Sequence, residues 1–113
     1  MSRRVREGCR VYGEAVHYAM RIVSVRHKGL RKLLETGEVS GVKRDLVRRV
    51  RNAVMALRSA ASIEEVQTTP GMRVHKLSGR REGIWSVAVS GNWRLTFEIE
   101  GDEIHDLDLE DYH

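Results

Sequence analysis

The main change in the spacing of apolar residues along this chain falls at Pro70-Gly71, and it limits what each half can form. Before it, apolar residues recur at three-and-four spacing, which favours helices that bury one face. After it, apolar and polar residues alternate, which favours strands with one buried face. The first half is therefore predicted to be mainly helical, and the second half to form an antiparallel meander of strands joined by short turns.

The first half is predicted to contain one short strand and two main helices. Arg21 to Val25 alternates and is predicted to form the strand, whereas His27 to Glu35 is predicted to form a helix with a left-handed cap at Gly37. A longer helix is predicted from about Val42 to Ala61, because one of its faces is apolar. That face comprises Leu46, Val47, Val50, Ala53, Val54, Leu57 and Ala61.

Turn residues divide the second half into strands. Ser62 and Glu65 have capping-box spacing and are predicted to start a short helical turn that Pro70-Gly71 ends. Four strands are then predicted, at residues 73–77, 84–89, 93–100 and 104–109. The turns of the last three strands are predicted at Ser90-Gly91-Asn92 and Gly101-Asp102.

The loop between the last two strands sets their register. A two-residue loop that closes Glu100 to Glu103 would place Asp106 opposite Phe97 and force a carboxylate onto the core face. A three-residue loop, Gly101 to Glu103, avoids this and is the predicted one, with Gly101 or Asp102 at positive φ. It pairs Phe97 with Leu107, Leu95 with Leu109, and Arg94 with Glu110.

The chain length and charge indicate one domain with a basic first half. The 113 residues carry a formal charge of +4, with 15 Lys/Arg against 5 Asp/Glu in residues 1–58 and 5 against 11 in residues 59–113. This division is compatible with a face that binds a polyanion, although it is also typical of a solvated surface.

The lone Cys9 excludes an internal disulfide and fits a reducing compartment. No apolar run approaches the about 18 residues of a membrane span, so a soluble cytoplasmic protein is expected.

Two histidines and an acid indicate chemistry on a phosphodiester. The chain ends in Asp111-Tyr112-His113, and His75 lies in the strand-like run from Arg73 to Leu77. Two imidazoles suffice for general acid–base cleavage, because one group deprotonates the ribose 2′-hydroxyl while the other protonates the departing oxygen. Such a site requires no metal, and no cofactor is predicted.

Other residues of the second half have alternative interpretations. Acidic strand residues beside His105 resemble metal ligands, but alternation favours a solvated strand face, and no zinc or calcium motif spacing is present. These residues are Glu98, Glu100, Asp106, Asp108 and Glu110. Trp85 and Trp93 share the phase of the apolar residues and are interpreted as core side chains rather than base-stacking ones.

Six ordered motifs after Met20 carry a family resemblance that covers residues 21–113. They are His27-Lys28-Gly29-Leu30, Glu35-Thr36-Gly37, Val74-His75-Lys76-Leu77, Gly83-Ile84-Trp85-Ser86-Val87, Gly91-Asn92-Trp93-Arg94-Leu95-Thr96-Phe97 and Glu110-Asp111-Tyr112-His113. Together they resemble a HigB-type toxin, one of the plasmid-maintenance killer proteins of the RelE/ParE superfamily.

The resemblance implies an α+β fold of the microbial-RNase type, with two N-terminal helices packed on a twisted, mostly antiparallel sheet of four to five strands. Residues 20–113 would form this toxin domain, and residues 1–19 a basic extension or a start-site artefact. The implied activity is ribosome-dependent cleavage of mRNA. The implied partner is a HigA-type helix-turn-helix antitoxin, through which alone the chain would act at operator DNA.

The resemblance assigns the chemistry to His75, Asp111, Tyr112 and His113, and leaves open which imidazole is the base. The strand motif of the family usually continues with Pro-Leu-Lys-Gly, whereas this chain has Lys76-Leu77-Ser78-Gly79, so a serine replaces the familiar lysine. A cation beside the scissile phosphate stabilises the charge that grows in the transition state. Arg73, which alternation places on the face of His75, is the predicted substitute, ahead of Lys76, Arg80 and Arg81.

Phosphate contacts to mRNA and 16S ribosomal RNA are expected from the basic residues of the helices and of the strand motif. The predicted contacts are Lys28, Arg31, Lys32, Arg44, Arg48, Arg51, Arg58, Lys76, Arg80 and Arg81. Two alternatives remain open. One is a ParE-like inhibitor of DNA gyrase, and the other is a catalytically weakened toxin that acts mainly as a corepressor with its antitoxin.

Overall fold

Three α-helices and a five-stranded sheet make up the part of the chain that the structure, a computed structural model, describes, residues 19–111. The helices are α1 (Lys28–Thr36), α2 (Val47–Ser59) and α3 (Ile63–Gln67), and the strands are β1 (Arg21–Ile22), β2 (Val74–Lys76), β3 (Trp85–Ser90), β4 (Trp93–Glu100) and β5 (Glu103–Asp111). Two 3₁₀ turns, Arg44–Leu46 and Gly79–Arg81, precede α2 and β3. Most of the predicted N-terminal extension lies outside the described residues, as do Tyr112 and His113.

Helix α1 begins and ends one residue later than predicted, and its cap at Gly37 is confirmed. His27 Nδ1 accepts a hydrogen bond from the Leu30 amide at 3.0 Å and caps the N-terminus. Gly37 has φ of 82° and its amide donates to the Leu33 carbonyl at 3.0 Å, as a left-handed cap requires.

Helix α2 is shorter than predicted. Its α-helical part ends at Ser59, because Ala60 is already extended with ψ of 143°. The apolar face is buried as expected, except that Val47 is half-buried and that Ala60 takes the place of the exposed Ala61 in the core. The predicted helix start at Ser62 is confirmed, because Ser62 Oγ accepts from the Glu65 amide at 3.3 Å, while Glu65 Oε1 accepts from the Ala61 amide rather than from that of Ser62.

The five strands are ordered β1-β5-β4-β3-β2, and every neighbouring pair is antiparallel except β1 with β5. All three helices contribute buried residues to the core that covers one face of this sheet. The expected α+β fold, with N-terminal helices on a mostly antiparallel sheet, is confirmed. The predicted first strand is reduced to β1, with one further parallel bridge between Val25 and Leu107.

The predicted three-residue loop between β4 and β5 is wrong. Glu100 pairs with Glu103, which leaves a two-residue loop, and Gly101 has the expected positive φ, 64°. A β-bulge between Thr96 and Glu98 then shifts the register by one residue. Asp106, at φ of 55°, takes up the extra residue.

The bulge removes the cost that argued against the short loop. Asp106 is exposed, and its amide donates to Ser24 Oγ at 2.8 Å, so its carboxylate does not enter the core. Beyond the bulge, Leu95 pairs with Leu109 and Arg94 with Glu110, as predicted. The predicted pairs near the chain end are therefore confirmed, although the predicted loop is wrong.

Candidate active site

The sheet face opposite the helices carries polar side chains, and we call it the polar face. It comprises His75, Ser86, Arg94, Thr96, Glu98, Glu100, Glu103, His105, Asp108 and Glu110, which alternate along β2 to β5 with the residues of the core on either side of the bulge. One row across this face runs through four strands, because His75 pairs with Ser86, Ser86 with Thr96, and Thr96 with Asp108. The predicted catalytic histidine thus belongs to a continuous polar surface.

His75 and Arg73 lie at the β2 edge of the polar face. Both are exposed. The Arg73 carbonyl accepts a hydrogen bond from the Ala88 amide at 3.0 Å, so the pairing of β2 with β3 extends back to Arg73. Because Arg73 and His75 are two residues apart on an extended chain, their side chains share the polar face, as predicted.

Asp111 lies well away from His75. It ends β5 and pairs with Trp93, whose side chain packs against the core, so Asp111 is turned to the helix side of the sheet. Strands β3 and β4 separate β2 from β5, which corresponds to about 14 Å at the usual interstrand spacing. The structure therefore brings Arg73 and His75 together but not Asp111, and the predicted partners Tyr112 and His113 fall outside the described residues.

Glu110 forms the strongest polar cluster of this face. Arg81 Nη1 donates to Glu110 Oε1 at 3.0 Å and Arg81 Nη2 to Glu110 Oε2 at 2.7 Å, a bidentate ion pair. Thr96 Oγ1 donates to Glu110 Oε2 as well. The Arg81 and Thr96 hydrogen bonds hold the pKa of the Glu110 carboxyl below its ordinary value, against the opposing effect of burial.

The Arg81–Glu110 contact shows how the β2–β3 connection runs. Strands β3 and β4 lie between that connection and β5, so the connection must fold over the polar face for Arg81 to reach Glu110. This explains why two polar residues under it are buried, Ser86 with 0% and Thr96 with 2% of their surface exposed. Sequence reasoning missed this cluster, because alternation places Glu110 on the face but does not show which cation reaches it.

The Arg81–Glu110 pair predicts a pH-dependent stability. Glu110→Gln is expected to lower the free energy of unfolding by roughly 1 kcal/mol at pH 7, a modest value because both side chains are partly exposed. Since the folded-state pKa lies below the ordinary value of 4.5, the difference from wild type is full above that pH and disappears as the pH falls through the lower folded value. Urea unfolding of both proteins between pH 7 and pH 3 measures it. A difference that stays constant across this range would contradict the assignment.

Most of the residues predicted to contact RNA are exposed, but they lie on the helices, on the side of the molecule opposite the polar face. Lys28, Arg31 and Lys32 of α1, and Arg44, Arg48 and Arg51 at α2, are exposed opposite the buried helix faces. Arg58 is half-buried. Because the helices cover one face of the sheet, this basic helix surface and the polar face point in opposite directions.

The basic residues near β2 differ in their surroundings. Arg80 is exposed on the 3₁₀ turn, whereas Arg81 is held by Glu110. The Lys76 ammonium lies 5.4 Å from the centroid of the Trp85 ring, which turns it to the helix side of the sheet. Trp85 and Trp93 pack half-buried against the core, as their spacing predicts.

An open pocket of about 810 Å³ lies at the end of β5. Its lining combines apolar, basic and aromatic side chains with one glycine and one serine: Val39, Ser40, Gly41, Val42, Lys43, Arg44, Val47 and Trp93. Since Trp93 pairs with Asp111, the pocket adjoins the point where the chain continues into its last two residues.

One of the acidic strand residues, Glu100, lies in a cluster with Glu103 and His105 at the far end of the polar face. His105 Nε2 lies 3.0 Å from Glu103 Oε1 and 3.5 Å from Glu100 Oε1, and the ligand-type atoms of the three residues are all within 4.8 Å of one another. Arg21 also pairs with Glu103. The contacts of Glu103 with Arg21 and His105 account for this arrangement, and the expectation that the acidic strand residues hold no metal stays a prediction.

Comparison with solved structures shows that this fold also occurs in another chain. A chain of the structure titled the YoeB dimer from Staphylococcus aureus superposes with a TM-score of 0.54 at 13% identity, over 84% of this chain and 98% of the other. At that identity the likeness shows the fold alone. Among residues 19–111, no helix is long and apolar enough to cross a membrane.

Comparison of sequences identifies the family of this chain. The family described as the RelE-like toxin of type II toxin-antitoxin system HigB matches residues 23–113. Endoribonuclease HigB of Proteus vulgaris is 40% identical over 92 residues, which are 81% of this chain and 99% of the relative. The chain therefore belongs to the HigB-like toxin family, and as the toxin of a type II system it has an antitoxin partner.

Proposed function

We propose that this protein is an endoribonuclease that cleaves mRNA on the ribosome and so inhibits translation. The observation that carries the proposal is the similarity to Endoribonuclease HigB, which spans 99% of that relative. The geometry supports it through His75, which is exposed on a polar sheet face beside the positively charged Arg73. An exposed imidazole next to a fixed positive charge suits proton transfer at a phosphodiester.

The proposed chemistry is metal-independent general acid–base catalysis. One of the two imidazoles, His75 or His113, takes the proton of the ribose 2′-hydroxyl, and the other gives a proton to the leaving oxygen. Asp111 orients an imidazole or stabilises its protonated form, and Tyr112 stacks on a base or holds a phosphate oxygen. Because Asp111 is on the helix side of β5, this role requires the substrate or the last two residues to bridge the distance to His75.

Arg73 is the proposed cation beside the scissile phosphate, in place of the lysine that the family usually carries at the position of Ser78. Arg73→Ala is expected to lower cleavage about a hundredfold, because the charge that grows in the transition state loses its counter-charge. Cleavage of a ribosome-bound mRNA by the purified variant measures this. Arg49→Ala is the matched control, because it removes an equally exposed arginine that lies on α2 rather than beside His75, and it should cleave normally. Full activity of Arg73→Ala would remove this residue from the site.

The basic helix surface is proposed to bind ribosomal RNA, including 16S rRNA, through phosphate contacts. Replacing Arg48 and Arg51 together by alanine is expected to weaken ribosome binding and to reduce the slope of affinity against salt concentration by roughly one unit per lost contact. Binding measured across a salt series tests this. Arg21→Ala, an exposed arginine on β1, serves as the control. An unchanged slope in the double variant would count against this surface.

The partner is proposed to be a HigA-type antitoxin with a helix-turn-helix domain, through which the toxin reaches operator DNA. The site of action is the cytoplasm, where mRNA is translated. Co-purification with the product of a neighbouring helix-turn-helix gene tests the first statement. Retention of operator DNA by the isolated toxin would contradict the indirect role.

Expression of the wild-type protein and of a His75→Ala/His113→Ala variant in growing cells, followed by mapping of mRNA 5′ ends, tests the function. New ends within translated regions are expected with the wild type alone. Growth arrest without new ends would indicate inhibition of another target such as DNA gyrase. Absence of arrest in both cultures would indicate a weakened toxin that acts as a corepressor.

A further inference from the structure

We infer that the pocket beside Trp93 binds one nucleotide of a single-stranded RNA, with the base stacked on Trp93 and a neighbouring phosphate held by Lys43 and Arg44. The inference deepens the proposed endoribonuclease function and rests on it, because the RNA is the mRNA substrate. The bound nucleotide flanks the cleavage point and is not one of the two that the scissile phosphate joins.

The pocket offers an accessible apolar surface to a base. Trp93 is half-buried, so that part of its ring system packs against the core while the rest lines the pocket. Val39 in the same lining is 47% exposed, which is unusual for a large apolar side chain. The volume of about 810 Å³ lies within the roughly 300–1,000 Å³ of small-ligand sites. Because aromatic side chains are the usual stacking surface for unpaired bases, and because the pocket is open, a strand that continues on both sides of the base fits it.

The charges of the pocket favour a nucleotide over an apolar peptide segment. Lys43 and Arg44 both line it and are exposed. Lys43 Nζ lies 4.0 Å from Asp45 Oδ1, with 61% and 75% of the two side chains exposed. Such an exposed pair contributes little energy, so the ammonium is able to turn to a phosphate. Asp111 pairs with Trp93 at the end of β5, which places the phosphate on the Lys43 side of the pocket, away from this carboxylate.

The wall that carries the two cations is held in place by backbone contacts. The Leu46 amide donates to the Lys43 carbonyl at 2.9 Å in the 3₁₀ turn. The preceding loop packs directly on α1, since a Cβ atom on Gly29 would lie 2.0 Å from the Gly41 carbonyl oxygen. The pocket is therefore formed before a ligand enters, which reduces the entropy that binding costs.

The position of the pocket relative to His75 identifies which nucleotide it takes. His75 shares a row with Thr96 of β4, and Trp93 lies three residues earlier on β4. Trp93 is thus displaced by two strands across the sheet and three residues along it, about 10 Å in each direction. It also packs on the helix side, whereas His75 is on the polar face. A nucleotide in the pocket is consequently too far from the imidazole to carry the scissile phosphate.

The binding test uses the full-length protein and a hexamer of 2′-O-methyl adenosines, which is not cleaved because its 2′-hydroxyls are blocked. In ¹⁵N spectra the indole N–H signal of Trp93 is expected to shift during the titration, while that of Trp85 stays in place. Spectra of Trp85→Leu assign the two signals. A hexamer of equal charge that lacks its bases is expected to bind roughly 10-fold more weakly, because stacking is lost.

Substitutions test the two halves of the site separately. Trp93→Leu is expected to lower the affinity for the hexamer roughly 10-fold, whereas Trp85→Leu, which changes another half-buried tryptophan of the core, should leave it unchanged. Lys43→Ala/Arg44→Ala is expected to reduce the slope of log affinity against log salt concentration by roughly 0.7 per lost phosphate contact. Val39→Asp places a negative charge in the pocket at an exposed position, so it should weaken binding without lowering the melting temperature.

Four outcomes would overturn the inference. They are an unshifted Trp93 indole at millimolar hexamer, an equal shift of both indoles, equal affinity of the hexamer without bases, and wild-type affinity of Val39→Asp. If Val39→Asp keeps its affinity for RNA but loses a purified antitoxin partner, the pocket is a protein-docking site instead.

The binding readout also separates this inference from the proposed function. A protein that cleaves no mRNA but shows the Trp93 shift with the hexamer would overturn only the endoribonuclease function. A protein that cleaves mRNA, whose Trp93 signal does not respond and whose Trp93→Leu variant cleaves normally, would overturn only the nucleotide site.

Discussion

Replacement of His75 by alanine is expected to lower mRNA cleavage by roughly 10²- to 10⁴-fold, the usual contribution of a general acid or base. The imidazole is exposed on the short strand β2, which pairs with β3 through backbone hydrogen bonds that alanine retains. Because no core contact is removed, the melting temperature should be close to that of wild type. The loss is therefore expected in kcat, with ribosome binding preserved.

His105→Ala is the matched control for this experiment. His105 is the other histidine on the polar face among residues 19–111, and it is held by Glu103 and Glu100 near the β4–β5 turn. Cleavage of ribosome-bound mRNA by both purified variants makes the comparison. Equal losses in the two variants would point to a general effect of removing a strand histidine. Normal cleavage by His75→Ala would leave the proposed mechanism without one of its two imidazoles.

The predictable part of the fold is the part that local spacing determines. Helix α1 illustrates this, since Leu30 and Leu33 are buried at helical spacing and Gly37 forms the predicted left-handed cap. The β4–β5 hairpin was predictable only in part. The pairs near the chain end follow from the apolar pattern, but the bulge at Asp106 is stabilised by Ser24, which is 82 residues earlier in the chain. A contact between residues so far apart in the chain produces no local sequence pattern from which it could be predicted.

The candidate site divides in the same way. Two-residue alternation suffices to place Arg73 and His75 on one face, because both lie along one extended segment. The partner of Glu110 was not predictable, because it depends on the path of the β2–β3 connection across the sheet. Charge counting found the basic half of the chain but did not show that its helices lie on the sheet face opposite His75.

Substitution of Gly29 by alanine is expected to lower the free energy of unfolding by about 3 kcal/mol, the upper end of the usual cost of inserting a methyl group into a packed site. A Cβ atom on Gly29 would lie 2.0 Å from the carbonyl oxygen and 2.4 Å from the carbonyl carbon of Gly41. Both are backbone atoms, so rotation of a side chain does not relieve the clash. The first turn of α1 would have to separate from the loop that lines the pocket beside Trp93.

Gly37→Ala is the control that separates this close contact from the conformational freedom of glycine. Nothing lies within 4 Å of a Cβ on Gly37, so only its φ of 82° opposes the substitution, at a cost of about 1 kcal/mol. With about 4–8 °C of melting temperature per kcal/mol in a domain of this size, Gly29→Ala should melt well below Gly37→Ala in a calorimetric scan. Equal melting temperatures would contradict the contact. The low melting temperature of Gly29→Ala also distinguishes it from His75→Ala, which should be inactive with a melting temperature close to that of wild type.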